Sequence, residues 1–336
     1  MKPSSFSFLL APLLFFSPSP AAQTTHYVDN LADCAGLVPC HATIGDAVSA
    51  AVPCDSIVVF PGLYREAVVI PQDKNNLKLR GRNKALMPVV AADPNAAEPH
   101  NNGFTLMAFG VQVRDFVIEA PNGHGVQANG PGGHFNVIQG NTIHARRGIT
   151  LGPCNASVVK DNWVLDGGIN LGIHMITRCL IEGNVAEGIG GGGFPTMENV
   201  IRRNRVRGGI GLGGESVYDN VVEWNQVEGG IVLLGDGMDG NIIRRNVVRG
   251  GGIRLQFSGH ASCCEPIGIN TIEANMVSGS PADGIVINAA GGATLVRKNT
   301  SVDNAGCDIN DTARSDRPQN NWTDNRFETS CGAARN

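Results

Sequence analysis

The segment between Val137 and Ile309 repeats one short phrase, and this repetition decides the fold. The phrase occurs eight times, as VIQGNTI (137–143), VVKDNWV (158–164), LIEGNVA (180–186), VIRRNRV (200–206), VVEWNQV (221–227), IIRRNVV (242–248), TIEANMV (271–277) and LVRKNTS (295–301). Its central asparagines are separated by 21, 22, 20, 21, 21, 29 and 24 residues. A second phrase follows at a corner, as GITL, GINL, GIGL, GIVL, GIRL and GIVI. A period near twenty with β-branched runs and Gly/Asn corners is typical of a solenoid, in which each repeat forms one coil.

The bulk composition supports one repetitive domain. The chain has 336 residues, of which 44 are glycines and only 17% are charged. A solenoid can use this length for a single continuous core. The net charge is −4 with both signs interspersed, so the sequence does not indicate a nucleic-acid partner.

The N-terminal segment resembles a secretory signal. Residues 1–22 combine Lys2, an apolar run from Phe6 to Phe16, and a small-residue cleavage site around Ala21. The apolar run is too short to span a bilayer, and no other segment is long enough. We therefore expect a secreted or periplasmic protein without a membrane span.

Export gives the nine cysteines a structural meaning, because disulfides persist in oxidising compartments. Pairing cannot be deduced from sequence alone. Cys307–Cys331 as a C-terminal link and Cys154–Cys179 as a link between neighbouring coils are the pairs that we expect. Metal binding is the alternative, but no CxxC or HxxxH spacing is present.

The segment that follows the signal carries a family resemblance. ATIGDAV (42–48), IVVFPGLYREAVVI (57–70) and LKLRG (77–81) resemble the opening segment of right-handed parallel β-helix proteins of the pectin-lyase-like superfamily. The asparagine repeats resemble the parallel β-helix repeat of the same superfamily. The resemblance implies an all-β, single-stranded right-handed parallel β-helix over residues 23–310. Residues 311–336 lose the period and would form a C-terminal cap or an irregular tail.

The apolar spacing of Ala42 to Ala51 predicts a helix. The open end of a solenoid exposes unpaired backbone and apolar surface, so we expect this helix to cap it.

The most prominent repeat positions have structural explanations. Stacked asparagines would form a hydrogen-bonded ladder and tolerate left-handed corners. The charges two residues before and three residues after each asparagine alternate in sign along the repeats, as expected for a salt-bridged wall. The outward positions of the GIxL strand instead form a glycine-rich trough, which is where the resemblance implies that sugar chains lie.

The corner after the GIxL strand gives the sharpest candidate site. Glu215 and Asp236 are expected on adjacent coils, with Asp239 close in sequence and Arg254 on the next coil. Such a carboxylate pair suits a retaining glycosidase, or Ca²⁺ binding by Glu215, Asp236 and Asp239. Arg254, His260 or His174 would abstract a proton in β-elimination, with Glu215 and Asp236 as further catalytic candidates.

Two functional hypotheses remain open. The first is a polysaccharide lyase or glycoside hydrolase, foremost a Ca²⁺-assisted lyase of uronate-containing glycans. The second is a non-catalytic secreted or cell-envelope scaffold that binds carbohydrate. No catalytic motif of the superfamily is present, no cofactor beyond the Ca²⁺ candidate is indicated, and a monomer is expected. Histidines 124, 134 and 144 are too closely spaced to stack, so we expect them at loops or corners.

Overall fold

The protein is a right-handed parallel β-solenoid in a computed structural model that describes residues 23–257, 268–288, 293–312 and 319–332. Within these residues, every strand pair is parallel, and a typical coil contributes one strand to each of three stacked sheets, A, B and C. The predicted all-β solenoid is confirmed.

Sheet A carries the first half of each asparagine phrase. Its strands are Thr25–Val28, Cys40–His41, Ser56–Val59, Lys78–Gly81, Gln112–Arg114, Val137–Gln139, Val158–Lys160, Leu180–Glu182, Val200–Arg202, Val221–Glu223, Ile242–Arg244, Thr271–Glu273, Leu295–Arg297 and Asn321–Thr323.

Sheet B begins directly after the asparagine. Its strands are Leu63–Tyr64, Val89–Ala91, Val117–Ala120, Thr142–Ala145, Trp163–Val164, Val185–Ala186, Arg205–Val206, Gln226–Val227, Val247–Arg249, Met276–Ser278 and Thr300–Val302.

Sheet C contains the GIxL strands. Its main strands are Val68–Ile70, Phe104–Leu106, Val126–Asn129, Ile149–Gly152, Ile169–Asn170, Ile189–Gly193, Ile210–Tyr218, Ile231–Asp239, Ile253–Phe257, Ile285–Asn288, Ile309–Asp311 and Ser330–Gly332. A short side ladder of Cys154–Asn155, Ile176–Thr177 and Thr196–Met197 joins the far half of Ile210–Tyr218. Short 3₁₀ turns cover Cys34–Gly36 and Gly130–Gly133.

One coil shows how the alternating sequence builds the core. Ile201, Val206, Ile210 and Leu212 are buried, whereas Gly211 faces outward on sheet C. Side chains alternate between the two faces of a strand, so one residue from each strand stacks on its equivalents in neighbouring coils. The interior is therefore a continuous stack of Ile, Val and Leu side chains.

The asparagine ladder is confirmed and has a second, parallel copy. From Asn141 to Asn325, each Nδ2 donates to the next Oδ1 at 3.0 Å. The second ladder lies five residues before the first in four consecutive coils and joins Asn199, Asn220, Asn241 and Asn270 at 2.8–3.0 Å.

The corner geometry differs from the expectation that the asparagine itself is left-handed. The residue before the asparagine has the positive φ, as at Arg203 (56°), Trp224 (59°) and Arg245 (55°). The asparagine side chain instead binds backbone of neighbouring coils, as Asn204 does at Ile181 O and Asn184 N. It thereby holds the left-handed corner in place.

The charged wall is also confirmed. Glu182 pairs with Arg202 (3.0 Å), Glu223 with Arg244 (2.7 Å), and Glu273 with Arg297 (3.1 Å).

The ends of the solenoid carry the helix and two of the disulfides. Helix Ile44–Ala50 begins after Thr43, whose hydroxyl accepts from the Asp46 amide, and it buries Ile44, Ala47 and Val48. Both expected disulfides, Cys154–Cys179 and Cys307–Cys331, are present, together with Cys34–Cys40. Strands Asn321–Thr323 and Ser330–Gly332 extend sheets A and C within the C-terminal segment. Among the described residues, no helix has the length and apolar character needed to cross a membrane.

Candidate functional site

A broad groove of about 750 Å³ lies on the outward face of sheet C. Its floor follows four outward positions that are paired in register, Thr150, Asn170, Gly190 and Gly211. Strands in a sheet are spaced about 4.8 Å apart, so these four coils span about 14 Å. This volume lies within the range of ligand-binding clefts. The groove coincides with the glycine-lined trough expected from the GIxL pattern.

Glycine keeps the groove floor low, for two different reasons. A Cβ at Gly190 would approach the Gly211 carbonyl oxygen to 2.7 Å, so stacking of the coils itself requires glycine there. A Cβ at Gly211 would meet no atom within 4 Å. The protein interior therefore does not require glycine at 211, where a side chain would project into the groove.

A cluster of polar side chains lies at the N-terminal end of this groove. His124 and Arg147 occupy equivalent corners of adjacent coils, three residues before Gln127 and Thr150. His124 Nδ1 is 2.9 Å from the Thr150 hydroxyl oxygen, and His124 Nε2 is 3.1 Å from Arg147 Nη1. His124 is only 5% exposed, whereas about half of the Arg147 side chain is open to solvent.

Glu98 completes the cluster from the irregular segment before strand Phe104–Leu106. Its Oε1 is 3.3 Å from His124 Nε2 and 3.6 Å from Arg147 Nη1, and it accepts a hydrogen bond from the Gln127 amide at 3.1 Å. A carboxylate, an imidazole and a guanidinium thus meet at one end of the groove.

Buried Asn102 fixes the position of this cluster. Its Nδ2 donates to Gln127 Oε1 at 2.7 Å and to Thr105 Oγ1 at 3.1 Å, and its Oδ1 accepts from the His124 backbone amide at 2.9 Å. Asn102 therefore ties the backbone of His124 to the side chain that holds Glu98.

The environment favours the neutral form of His124. Burial lowers the pKa of its imidazole most, the charge of Arg147 lowers it further, and Glu98 partly opposes both effects. Because burial disfavours the charged form, the imidazole is uncharged at neutral pH and retains one basic nitrogen.

The opposite rim of the groove is apolar. Ile173 lines this rim and is 69% exposed.

The structure separates the candidate residues that the sequence grouped. Glu215 and Asp236 lie on neighbouring strands, between the register pairs Gly214–Gly235 and Ser216–Gly237. They are therefore adjacent, four residues beyond the groove floor. Arg254 pairs with Val232, about 13 Å along the strand from Asp236. His260 lies outside the described residues.

The three carboxylates proposed as metal ligands do not form a metal site. Asp239 pairs with Tyr218, three residues further along the strand than Asp236. Among the described residues, no group of three or more His, Cys, Asp or Glu side chains is arranged to hold a metal ion. Ca²⁺ at Glu215 and Asp236 would need ligands from elsewhere.

His124 lies at a corner, as the sequence predicts, but its position beside the groove was not predicted. The available signal was the equal offset of His124 and Arg147 from Gln127 and Thr150, which are outward residues of the trough. Glu98 had no such signal, because residues 82–105 break the repeat.

Comparison with known proteins supports the fold alone. No family model matches this sequence, and no curated protein matches it either. The structure is similar to a GH136 lacto-N-biosidase from Eubacterium ramulus, with TM-score 0.60, 11% identity, and coverage of 91% of this chain and 68% of that chain. It is also similar to a GH87 alpha-1,3-glucanase from Streptomyces thermodiastaticus strain HF3-3, with TM-score 0.52, 14% identity, and coverage of 93% and 70%.

Proposed function

We propose that this protein acts on polysaccharide in the sheet C groove, and that its preferred substrate is a uronate-containing glycan. The observation that carries the proposal is the Glu98–His124–Arg147 cluster at the end of a groove that spans several sugar units. The similar solved structures are a lacto-N-biosidase and a glucanase, which agrees with a carbohydrate substrate.

The charge of the groove favours an acidic sugar. Among the described residues that line it, Arg147 is cationic and none is Asp or Glu. Glu98 Oε1 lies 3.6 Å from Arg147 Nη1 and offsets part of its charge, but Glu98 is not among the residues that line the groove. Hydrolysis of a glycosidic bond requires two carboxylates flanking that bond, which the groove floor does not supply. An arginine beside a neutral imidazole instead suits β-elimination.

In the proposed reaction, Arg147 leaves His124 Nε2 and pairs with the carboxylate of the substrate. The hydrogen bond between Nδ1–H and Thr150 then leaves a lone pair on Nε2, which takes the proton next to the carboxylate. The electron pair of that C–H bond forms a carbon–carbon double bond as the bond to the leaving oxygen breaks. The leaving oxygen takes a proton from water, and the imidazolium later releases its proton to solvent.

This proposal is tested by incubating the full chain with polygalacturonate, alginate and a neutral glucan, with and without Ca²⁺. We expect an unsaturated product, detected by its ultraviolet absorbance, from an acidic glycan only. His124→Gln and Arg147→Gln should each lower kcat by at least about a hundredfold. His144→Gln is the matched control, because His144 is exposed on sheet B. Equal activity in His124→Gln and wild type would refute the site.

The neighbouring pair Glu215 and Asp236 supports a second candidate function. Carboxylates on adjacent strands are about 5 Å apart, which suits retaining glycoside hydrolysis. Release of reducing ends from a neutral glucan would favour this function over elimination, provided that Glu215→Gln and Asp236→Asn each abolish the release. Binding of a glycan without any turnover would favour the non-catalytic scaffold.

Three further expectations belong to this proposal. Three disulfides favour folding in an oxidising compartment, which agrees with export. The signal at residues 1–22 lies outside the described residues. The helix Ile44–Ala50 packs beside the first sheet A strands, where it would cover the open end of the solenoid.

A further inference from the structure

The corner between sheets A and B has a strained backbone in coil after coil. Its central residue immediately precedes each ladder asparagine and has φ between 54° and 69° from Asp161 to Asp324. Glycine occupies this position in two coils, at Gly140 and Gly183. The corner therefore requires no side chain at this position.

Four of these strained positions nevertheless carry large basic or aromatic side chains. They are Arg203, Trp224, Arg245 and Lys298, all of them exposed. A non-glycine residue in the left-handed region costs on the order of 1 kcal/mol or more, and such strain is concentrated at functional positions. We name these four residues the basic corner.

The spacing of the basic corner is regular. Arg203, Trp224 and Arg245 lie in consecutive coils, and Lys298 follows two coils later. The three cations are therefore about 10 Å apart along the solenoid axis. The Arg245 guanidinium lies 4.8 Å from the centre of the Trp224 ring, and half of that tryptophan remains exposed.

Two of the three cations of the basic corner, Arg245 and Lys298, are not neutralised by their surroundings. The sheet A carboxylates Glu182, Glu223 and Glu273 are already paired with sheet A arginines, and Glu182 also pairs with Arg203 at 3.1 Å. Among the described residues, Arg245 and Lys298 form no ion pair. A local positive ridge thus runs along a protein whose net charge is −4.

We propose that the basic corner is a second glycan-binding site, which holds an anionic polysaccharide parallel to the solenoid axis. The spacing of about 10 Å between the cations matches the spacing of acidic groups in a polymer that has one acidic group in each disaccharide. Trp224 supplies a flat surface on which a sugar ring can pack. The site lies between sheets A and B, whereas the groove lies on sheet C. Binding here does not depend on catalysis in the groove.

The chemistry distinguishes this partner from nucleic acid. Proteins that bind nucleic acid through phosphate contacts are strongly basic in the binding domain, whereas the pI of this chain is about 6.1. A single row of widely spaced cations is better matched to a sparsely charged glycan than to a continuous row of phosphates.

The test measures binding of the full chain to hyaluronan at low salt. The variant carries Arg203→Gly, Arg245→Gly and Lys298→Gly, because glycine accepts the left-handed backbone. The thermal stability of this variant should therefore match that of wild type. We expect about tenfold weaker binding. A second triple variant with glutamine at these positions removes the charges without the added freedom of glycine.

A matched control removes three exposed cations from other parts of the surface, with Arg65→Ala, Lys84→Ala and Arg178→Ala. Equal loss in the control, equal binding to neutral dextran, or no binding by wild type would overturn the proposal. Tighter binding to single-stranded DNA or to anionic phospholipid vesicles would overturn the choice of partner. The triple glycine variant should lose the same fold of hyaluronan binding in a Gly211→Phe background, in which the groove is blocked, so failure of the groove proposal is distinguishable from failure of this one.

Discussion

Removal of one ladder asparagine should destabilise the whole solenoid, and Asn204→Ala is the sharpest case. Asn204 accepts from the Asn184 amide (2.9 Å) and from Asn184 Nδ2 (3.0 Å). It donates to Ile181 O (2.9 Å) and to Asn225 Oδ1 (3.0 Å). Each buried hydrogen bond contributes roughly 1 kcal/mol net, so the four together give about 4 kcal/mol. The backbone N–H of Asn184 would be left buried without a hydrogen-bond acceptor, which adds to this loss of stability.

Urea denaturation with the disulfides intact measures the loss directly. The free energy of unfolding of Asn204→Ala should fall by about 4 kcal/mol, which is a large part of the total for a typical domain. Gln226→Ala is the matched control, because this amide is exposed on sheet B in the next coil. It should change the free energy by less than about 0.5 kcal/mol. If the two variants lose the same stability, the ladder does not stabilise the fold as described.

Three further predictions address the groove, the charged wall and the C-terminus. Gly211→Phe should abolish glycan binding in the groove with an unchanged Tm, because a Cβ at Gly211 meets no atom within 4 Å and the ring would project into the groove. Val232→Phe, one coil further, should bind glycan normally. A hydrogen bond from Arg202 is the main cause of the lowered pKa of Glu182. The ionised carboxylate therefore stabilises the fold at pH values above its unfolded pKa, and this stabilisation is lost as the pH falls through the folded pKa. The stability difference between wild type and Glu182→Gln, followed by urea titration, should therefore shrink in acid. Opening the Cys307–Cys331 link by a double serine substitution should lower the free energy of unfolding by about 3 kcal/mol, because it closes a loop of 24 residues.

The repeat made most of the fold predictable. Once Asn141 to Asn299 define one coil each, side-chain alternation determines which residues are buried, and Ile201, Val206 and Ile210 follow from it. The second ladder was equally accessible, because Asn199, Asn220, Asn241 and Asn270 each lie five residues before a first-ladder asparagine. Cys179 and Ser157 occupy the same position in earlier coils and interrupt its pattern in the sequence.

The candidate site was less predictable, because it depends on positions where the repeat is broken. The register correctly makes Glu215 and Asp236 neighbours, but position along the strand also matters, and this separates Arg254 from them. Glu98 comes from an aperiodic segment, and its contact with His124 could be found only in three dimensions. A sequence repeat predicts the position of a residue within its coil. An insertion such as residues 82–105 brings residues from outside the repeat, here Glu98, into contact with a corner of the coil.

The most direct test of the proposed function is the pH dependence of kcat/KM for elimination of an acidic glycan by the full chain. Burial and Arg147 lower the pKa of His124, so kcat/KM should rise through a pKa below the ordinary imidazole value of about 6.5 and then reach a plateau. His124→Gln should remove this ascending limb together with most of the activity. An ascending limb that persists in His124→Gln, or no elimination by wild type, would contradict the assignment of His124 as the base.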